Sequence, residues 1–270
     1  MVRVGVLGAG GRMGSTVCRA VAGSPACELV AAVDPNAAGR RLAELAGLEE
    51  SALEVQPTLE ALADAGAEVA VDFTHASAAV ANMAWCAGAG VHVVCGTTGI
   101  GADDLGRLRE LFEPAAAPNC VLAPNFAVSA VLMMRFAELA APFLDGVEIV
   151  ELHHDAKRDA PSGTALETAR RIAAARQASG AGPFVADPTA EEVVAGARGA
   201  LGAGGVRVHA VRLPGLVAHQ EVLFGALGQS LTIRQDSYER SSFMPGVLLA
   251  VTKVAAIPGL TLGLEAVLGL

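Results

Sequence analysis

Residues 151–164 read Glu-Leu-His-His-Asp-Ala-Lys-Arg-Asp-Ala-Pro-Ser-Gly-Thr, which places His153, His154, Lys157 and Arg158 within six positions. Histidine exchanges protons near neutral pH, and lysine and arginine hold anions. The Pro-Ser-Gly-Thr turn opens a helix pattern, and the first N–H groups of a helix favour a carboxylate or phosphate. Ser162, Gly163 and Thr164 are the residues that would present those groups. The segment has the chemistry to grip a small acidic molecule and deliver a proton to it. On its own it also reads as a solvated basic loop, so the rest of the chain must decide.

A second cluster opens the chain. Gly8-Ala9-Gly10-Gly11-Arg12-Met13-Gly14 follows a short β-branched run and precedes a helix pattern. Glycines there let backbone N–H groups approach a pyrophosphate at a helix start. The spacing departs from the strict dinucleotide form, because the third glycine is displaced to Gly14 and Met13 stands in its usual place. A tight turn without a ligand is the alternative reading of the glycines alone. Asp34 ends the second strand run, 20 residues after Gly14, where a carboxylate accepts hydrogen bonds from ribose hydroxyls and favours NAD. It repels the additional phosphate of NADP, whereas Arg12, Arg40 and Arg41 are available counter-charges. Use of either NADH or NADPH is the expectation. Gly96-Thr97-Thr98-Gly99 and Ala123-Pro124-Asn125-Phe126 follow two further strand runs. Ligands of open parallel sheets bind beyond the carboxyl ends of strands, so both turns are placed beside the nicotinamide half.

Elements of a particular kind must position these residues. Strand-like runs at 2–7, 28–33, 68–73, 91–95 and 119–122 alternate with helical stretches, which predicts a parallel, doubly wound sheet. After Asn125 the pattern changes to a helix at 129–143, a strand at 147–153 and a helix at 162–178. A Gly- and Pro-rich stretch at 180–205 comes next, then strands at 206–213, 217–226 and 230–236. That succession predicts an open, mostly antiparallel sheet. Residues 243–257 read as helix again. The fold class expected is α/β, with an N-terminal doubly wound Rossmann-type parallel sheet and a second α+β domain with an open mixed sheet. The expected domains are 1–126, with 240–270 packing back on it, and 127–239.

Composition excludes several classes. Hydrophobic residues make up 53% and charged residues 17% of 270, which is a folding composition. A formal net charge of −9 disfavours nucleic acid as a partner, since phosphate backbones select basic surfaces. The five cysteines, Cys18, Cys27, Cys86, Cys95 and Cys120, are odd in number and lack CxxC spacing, so neither a disulfide framework nor a metal site is expected. Reduced thiols and the absence of a signal-peptide pattern suit the cytoplasm. No Asp, Glu, Lys or Arg occurs between Asp72 and Asp103. Gly88 and Gly90 divide that span into a helix-like and a strand-like half, so two buried elements are expected and no membrane partner.

Taken in order, Gly-Ala-Gly-Gly-Arg-Met-Gly, Asp-Phe-Thr (72–74), Gly-Thr-Thr-Gly, Ala-Pro-Asn-Phe and His-His-x-x-Lys-x-Asp-Ala-Pro-Ser-Gly-Thr-Ala resemble the 4-hydroxy-tetrahydrodipicolinate reductase (dihydrodipicolinate reductase) family. The resemblance runs over nearly the whole chain, including Val-Arg-Leu-Pro-Gly-Leu-Val-Ala-His-Gln-Glu-Val-Leu-Phe-Gly at 211–225. It implies hydride transfer from NAD(P)H to a cyclic dicarboxylate in diaminopimelate and lysine synthesis. It also implies His153 as proton donor and Lys157 as its cationic partner, with His154, Gly163 and Thr164 on the substrate. Gly8, Ala9, Gly10, Gly11, Arg12, Met13, Asp34, Gly96, Thr97, Thr98, Ala123, Pro124, Asn125 and Phe126 would hold the cofactor. A homotetramer built through the second domain's sheet is implied too. Some members follow the acidic residue with arginine, whereas this chain has Pro35, which weakens any strict preference for NADPH. Two other readings share these features: another NAD(P)-dependent amino-acid or sugar dehydrogenase, and a catalytically silent NAD-binding sensor. The roles of His219 and Arg240 stay open at this point, His219 reading most simply as a satisfied residue of its strand.

Overall fold

Valine-rich runs closed by glycine, proline or a short polar turn set the strands of this chain, and alanine-rich stretches set its helices. The computed structural model describes residues 1–270. Its elements begin β1 (Val2–Leu7), α1 (Arg12–Ala22), β2 (Cys27–Val33), α2 (Leu42–Ala46), α3 (Glu60–Asp64), β3 (Val69–Asp72), α4 (Ala76–Ala89), β4 (His92–Cys95), α5 (Ala102–Phe112) and β5 (Cys120–Leu122). They continue with α6 (Val128–Ala140), β6 (Gly146–His153), α7 (Gly163–Ala178), β7 (Ala200–Leu201), β8 (Arg207–Arg212), β9 (Ala218–Ala226) and β10 (Gln229–Ser237). The chain ends with α8 (Met244–Lys253), β11 (Leu260–Leu262) and α9 (Glu265–Leu268). Two compact units result, residues 1–128 with 240–270, and residues 129–239.

The first unit holds a six-stranded parallel sheet in the order β11-β5-β4-β3-β1-β2. Helices cover both faces of such sheets, so the middles of its central strands are apolar; Val69, Ala70 and Val71 of β3 and Val93 and Val94 of β4 are all buried. Strand order reverses at β1, with β3 on one side and β2 on the other, and such a switch point leaves a crevice beyond the strand ends. The charge-free stretch divides as expected: α4 closes at Gly90, whose φ of +75° is left-handed, and β4 follows. No helix of the chain is long and apolar enough to cross a membrane. The five cysteines are free and buried. Burial pushes the thiols of Cys18, Cys86 and Cys95 up to about 12, so they are not nucleophiles at neutral pH. Strand β11 was not foreseen. Its three residues are too few to show a period, and it is placed by pairing with β5.

The second unit holds a mixed sheet in the order β10-β9-β6-β8-β7. β6 runs parallel to β8 and antiparallel to β9, and the outer pairs are antiparallel. The central strand alternates with period two. Val147, Ile149 and Glu151 are buried on one face, and Glu148, Val150 and Leu152 lie half-buried on the other. Helix α7 packs its Ala165, Thr168, Ala169 and Ile172 into the buried side of the unit. A charged residue, Glu151, therefore takes a position the pattern reserves for an apolar one.

Candidate active site

The turn after β1 is shaped by what cannot fit there. Gly8 has φ +76°, and its amide and that of Ala9 donate to the Val33 carbonyl at 2.8 and 3.2 Å. A Cβ on Gly14 would lie 1.9 Å from the Gly8 carbonyl oxygen, so α1 packs onto the turn only because position 14 has no side chain. This accounts for the displaced glycine: the structure uses Gly14 for close helix packing and leaves Met13 half-buried beside it. Gly10 donates its amide to Asp34 Oδ2 at 3.0 Å, and Asn36 donates to Asp34 Oδ1 at 3.0 Å. Each carboxylate oxygen keeps a further lone pair for a hydroxyl. A cavity of about 320 Å³ is lined by Gly8, Gly11, Asp34, Thr58, Phe73 and His75, among others. Glycines at a helix start, an acidic residue at the end of β2 and an open cavity between them fit the phosphate and ribose of a dinucleotide. Gly11 and Arg12 are exposed at the start of α1, and Arg40 and Arg41 are exposed after Asp34. Ala9 is buried, so any contact from it would come from its backbone.

The turns after β3 and β4 converge with α4 on Asp72. This fully buried carboxylate accepts from the Thr74 amide and hydroxyl at 2.8 and 2.7 Å, from Thr97 Oγ1 at 3.3 Å and from Asn82 Nδ2 at 2.8 Å. It ties the 73–75 and 96–98 turns together. Gly96 faces the Phe73 ring, which a Cβ would meet at 2.1 Å, and Phe73 packs on Phe126 with ring centroids 5.8 Å apart. Thr98 and Pro124 are exposed, whereas Ala123 and Phe126 are buried. Asn125 turns its Oδ1 back to the Ala127 amide at 2.9 Å. The structure thus gathers the predicted cofactor residues around strand ends of the first unit. The sequence reading assigns Asp72 no role. Its signal was a lone acid at the mouth of a span with no other charge.

In the second unit His153 ends β6 and donates from Nδ1 to Glu151 Oε2 at 2.6 Å. Glu151 is 0% exposed and accepts three further hydrogen bonds, from Arg212 Nη1 and Nη2 at 2.7 and 2.8 Å and from the Ser162 amide at 3.0 Å. Burial raises its carboxyl, but Arg212 and His153 outweigh this and hold it below the usual glutamate range. Burial lowers His153 below its ordinary value, an effect that Glu151 opposes and Lys157 and Arg212 reinforce. Lys157 Nζ is held by both oxygens of Asp159 at 2.8 and 2.7 Å, and Arg212 Nη2 donates to the Asp159 carbonyl at 2.7 Å. His154 is exposed and accepts the Lys157 amide on its carbonyl at 3.2 Å, closing the turn.

One expectation is corrected here. The Ser162 amide is not free for a ligand, because Glu151 takes it, and the Ser162 hydroxyl caps α7 by accepting from the Ala165 amide at 3.2 Å. Gly163 and Thr164 remain as the helix-start amides. Glu151 and Arg212, which hold His153 and the turn after it, carry no role in the sequence reading. They lie 61 positions apart, and only the β6–β8 register, which pairs Glu151 with Ala210 and His153 with Arg212, brings them together. His219 is 4% exposed with both nitrogens bonded, Nδ1 to Asp236 Oδ1 at 2.7 Å and Nε2 accepting the Val217 amide at 3.1 Å. It is a satisfied residue of its strand. The second unit therefore carries a hydrogen-bonded imidazole, a lysine and an anion-favouring helix start within one loop, an arrangement able to bind a carboxylate and donate a proton.

The dihydrodipicolinate reductase N-terminal and C-terminal family models match residues 2–126 and 129–268. A 4-hydroxy-tetrahydrodipicolinate reductase of Beutenbergia cavernae is 51% identical over 269 residues, covering 100% of this chain and 99% of its own. That of Corynebacterium aurimucosum is 49% identical over 269 residues, with 100% and 99% covered. Among solved structures, a dipicolinate-bound dihydrodipicolinate reductase from Paenisporosarcina sp. TG-14 superposes with a TM-score of 0.86 at 41% identity, covering 98% of this chain and 99% of that one. The chain belongs to the dihydrodipicolinate reductase family.

Proposed function

We propose that this protein reduces 4-hydroxy-tetrahydrodipicolinate, by way of dihydrodipicolinate, to tetrahydrodipicolinate in diaminopimelate and lysine synthesis. The observation that carries the reading is His153, held by a buried carboxylate and placed in one loop with Lys157 and the start of α7. The dipicolinate in the Paenisporosarcina relative, a planar ring with two carboxylates, supports a substrate of that class. The nicotinamide, when bound, supplies the hydride.

The chain's own residues do the rest. Gly8 to Met13 and Asp34 bind the phosphates and ribose, and Gly96 to Thr98 with Ala123 to Phe126 orient the reactive half. Gly163 and Thr164 offer amides to one substrate carboxylate, and His154 adds a donor at the loop surface. Hydride addition to the conjugated imine leaves negative charge on the ring's carbon–nitrogen system. His153 quenches it with a proton from Nε2, which has no protein partner, and Lys157 stabilises the charge as it grows. To do so Lys157 exchanges Asp159 for the substrate.

Asp34 favours NADH, and Arg12, Arg40 and Arg41 compensate for the phosphate of NADPH, so both cofactors serve. The first unit is the cofactor domain and the second the substrate domain, in a homotetramer of the cytoplasm. Freshly prepared cyclic substrate with NADH or NADPH, followed by the loss of reduced-cofactor absorbance, tests the reading. Consumption of both nucleotides is expected; no consumption of either overturns it.

A further inference from the structure

An ion pair lies beneath His153, its Glu151 carboxylate buried and its Arg212 guanidinium partly exposed. Glu151 stands on the face of β6 that otherwise carries Val147 and Ile149, with no access to water. Taking the Glu151 carboxylate out of water is costly, and an apolar residue in its place is often neutral or stabilising. The pair is thus poorly explained by stability alone. Its connections point elsewhere. One Glu151 oxygen accepts His153 Nδ1 and Arg212 Nη1, and the other accepts Arg212 Nη2 and the Ser162 amide. Arg212 reaches past Glu151 to the Asp159 carbonyl, two residues from Lys157. The loop that carries the chemistry is tied to this pair at three points, the imidazole, the Asp159 carbonyl and the start of α7.

We infer that Glu151 and Arg212 are positioning residues for the proposed proton transfer, Glu151 by fixing His153 with its proton on Nδ1 and Nε2 presented, and Arg212 by fixing Glu151 and the 157–162 loop together. An ionised carboxylate only accepts, so Nδ1 must donate to it in both the neutral and the charged imidazole, and Nε2 is left as the atom that delivers the proton. Carboxylates that hold a histidine in this way in hydrolases are worth up to about 10⁴-fold in turnover. The charged groups facing His153 are Glu151 from its own strand, Arg212 from β8 and Lys157 from the loop, with Asp159 beyond Lys157. Removing the one negative charge in direct contact leaves two cations, so the imidazolium becomes harder to form.

The inference rests on the proposed reaction, and Glu151→Gln assayed beside His153→Gln separates the two. The expected result is a kcat for Glu151→Gln at least tenfold below the parent, with KM and NADH affinity within about twofold, and a fall in rate with rising pH displaced to lower pH by about one unit or more. A parent-like kcat and pH profile in Glu151→Gln, with His153→Gln inactive, overturns the inference and leaves the reaction standing. Full activity in His153→Gln removes His153 as the donor and the positioning role with it, whereas no consumption of either nucleotide by the parent overturns the reaction itself. Nitrogen NMR of the unsubstituted protein supplies a measurement free of folding effects. A neutral His153 protonated on Nδ1 is expected, and a proton on Nε2 with Nδ1 bare overturns the assignment of Glu151.

Discussion

His153 feels two opposed influences. Burial disfavours its charged form, as do Lys157 and Arg212, and the Glu151 carboxylate favours it; together they hold the pKa below the ordinary 6.5 in the free protein. A proton donor must start protonated, so the rate falls as pH rises through that value. A bound dicarboxylate adds negative charge beside the ring and raises it again. The fall in kcat, which reports the substrate complex, is therefore expected at higher pH than the fall in kcat/KM, which reports the free protein. Initial rates across pH 5 to 9 check this, and the reverse order would count against His153 as the donor. His153→Gln should lower kcat by roughly 10²–10⁴-fold and leave NADH titration unchanged. Gly14→Ala should do the opposite. Its new Cβ meets backbone at 1.9 Å, α1 must move off the turn, and NADH affinity should weaken at least tenfold, on the order of the 1–3 kcal/mol that overpacking costs. Fluorescence titration with NADH measures both. His153, Lys157 and the glycine turn were legible because their chemistry is written in consecutive residues. Glu151 and Arg212 were not, because their meaning depends on which strands pair.

Among elements, the strands with both faces buried were legible as apolar runs and β6 as an alternation, whereas β11 was invisible until its partner was known. What secures it is one side chain. Asn119, just before β5, donates from Nδ2 to the Val254 and Ala255 carbonyls at 3.0 Å each and accepts the Gly259 amide on Oδ1 at 3.0 Å. It brackets the segment between α8 and β11, and the Gly259 carbonyl in turn accepts the Cys120 amide at 2.9 Å. Three hydrogen bonds in a partly buried site are worth about 1–1.5 kcal/mol each at most, and stranded carbonyls add to the loss. Asn119→Ala is expected to cost about 2–3 kcal/mol and lower Tm by several degrees. Amide hydrogen exchange should quicken first in residues 259–262. A parent-like Tm and exchange pattern would mean that strand pairing alone holds β11. Segments of two or three residues such as β7 and β11 lie beyond sequence reasoning for the same reason: no period fits within them, and remote partners decide their state.

For the whole molecule, the second sheet bears on how many copies work together. The face of the second sheet opposite Val147, Ile149 and Glu151 carries Glu148, Val150 and Leu152 of β6, with Glu221 and Leu223 of β9 and Thr232 and Arg234 of β10 in register beside them. Leu223 is 37% exposed there, and Leu227 at the hairpin end is 98% exposed. An ion pair crosses the same face between Arg234 and Glu221, and His209 Nε2 lies 2.7 Å from Glu148 Oε2. Apolar residues among matched charges suit a sheet that pairs with another copy, and a stable interface needs about 800 Å² from each partner. Sedimentation should give a species of about 109 kDa, four chains of 27.2 kDa, as expected for closed symmetry. Leu223→Arg provides the test at this face. The new side chain lies directly across from Glu148, a favourable cross-strand pair within one chain, so the fold should survive. Four copies would bring that cation into their shared surface, and smaller species should then dominate at micromolar concentration. A monomeric parent would end the homotetramer, and a variant that stays at the parent mass would move the interface to another face.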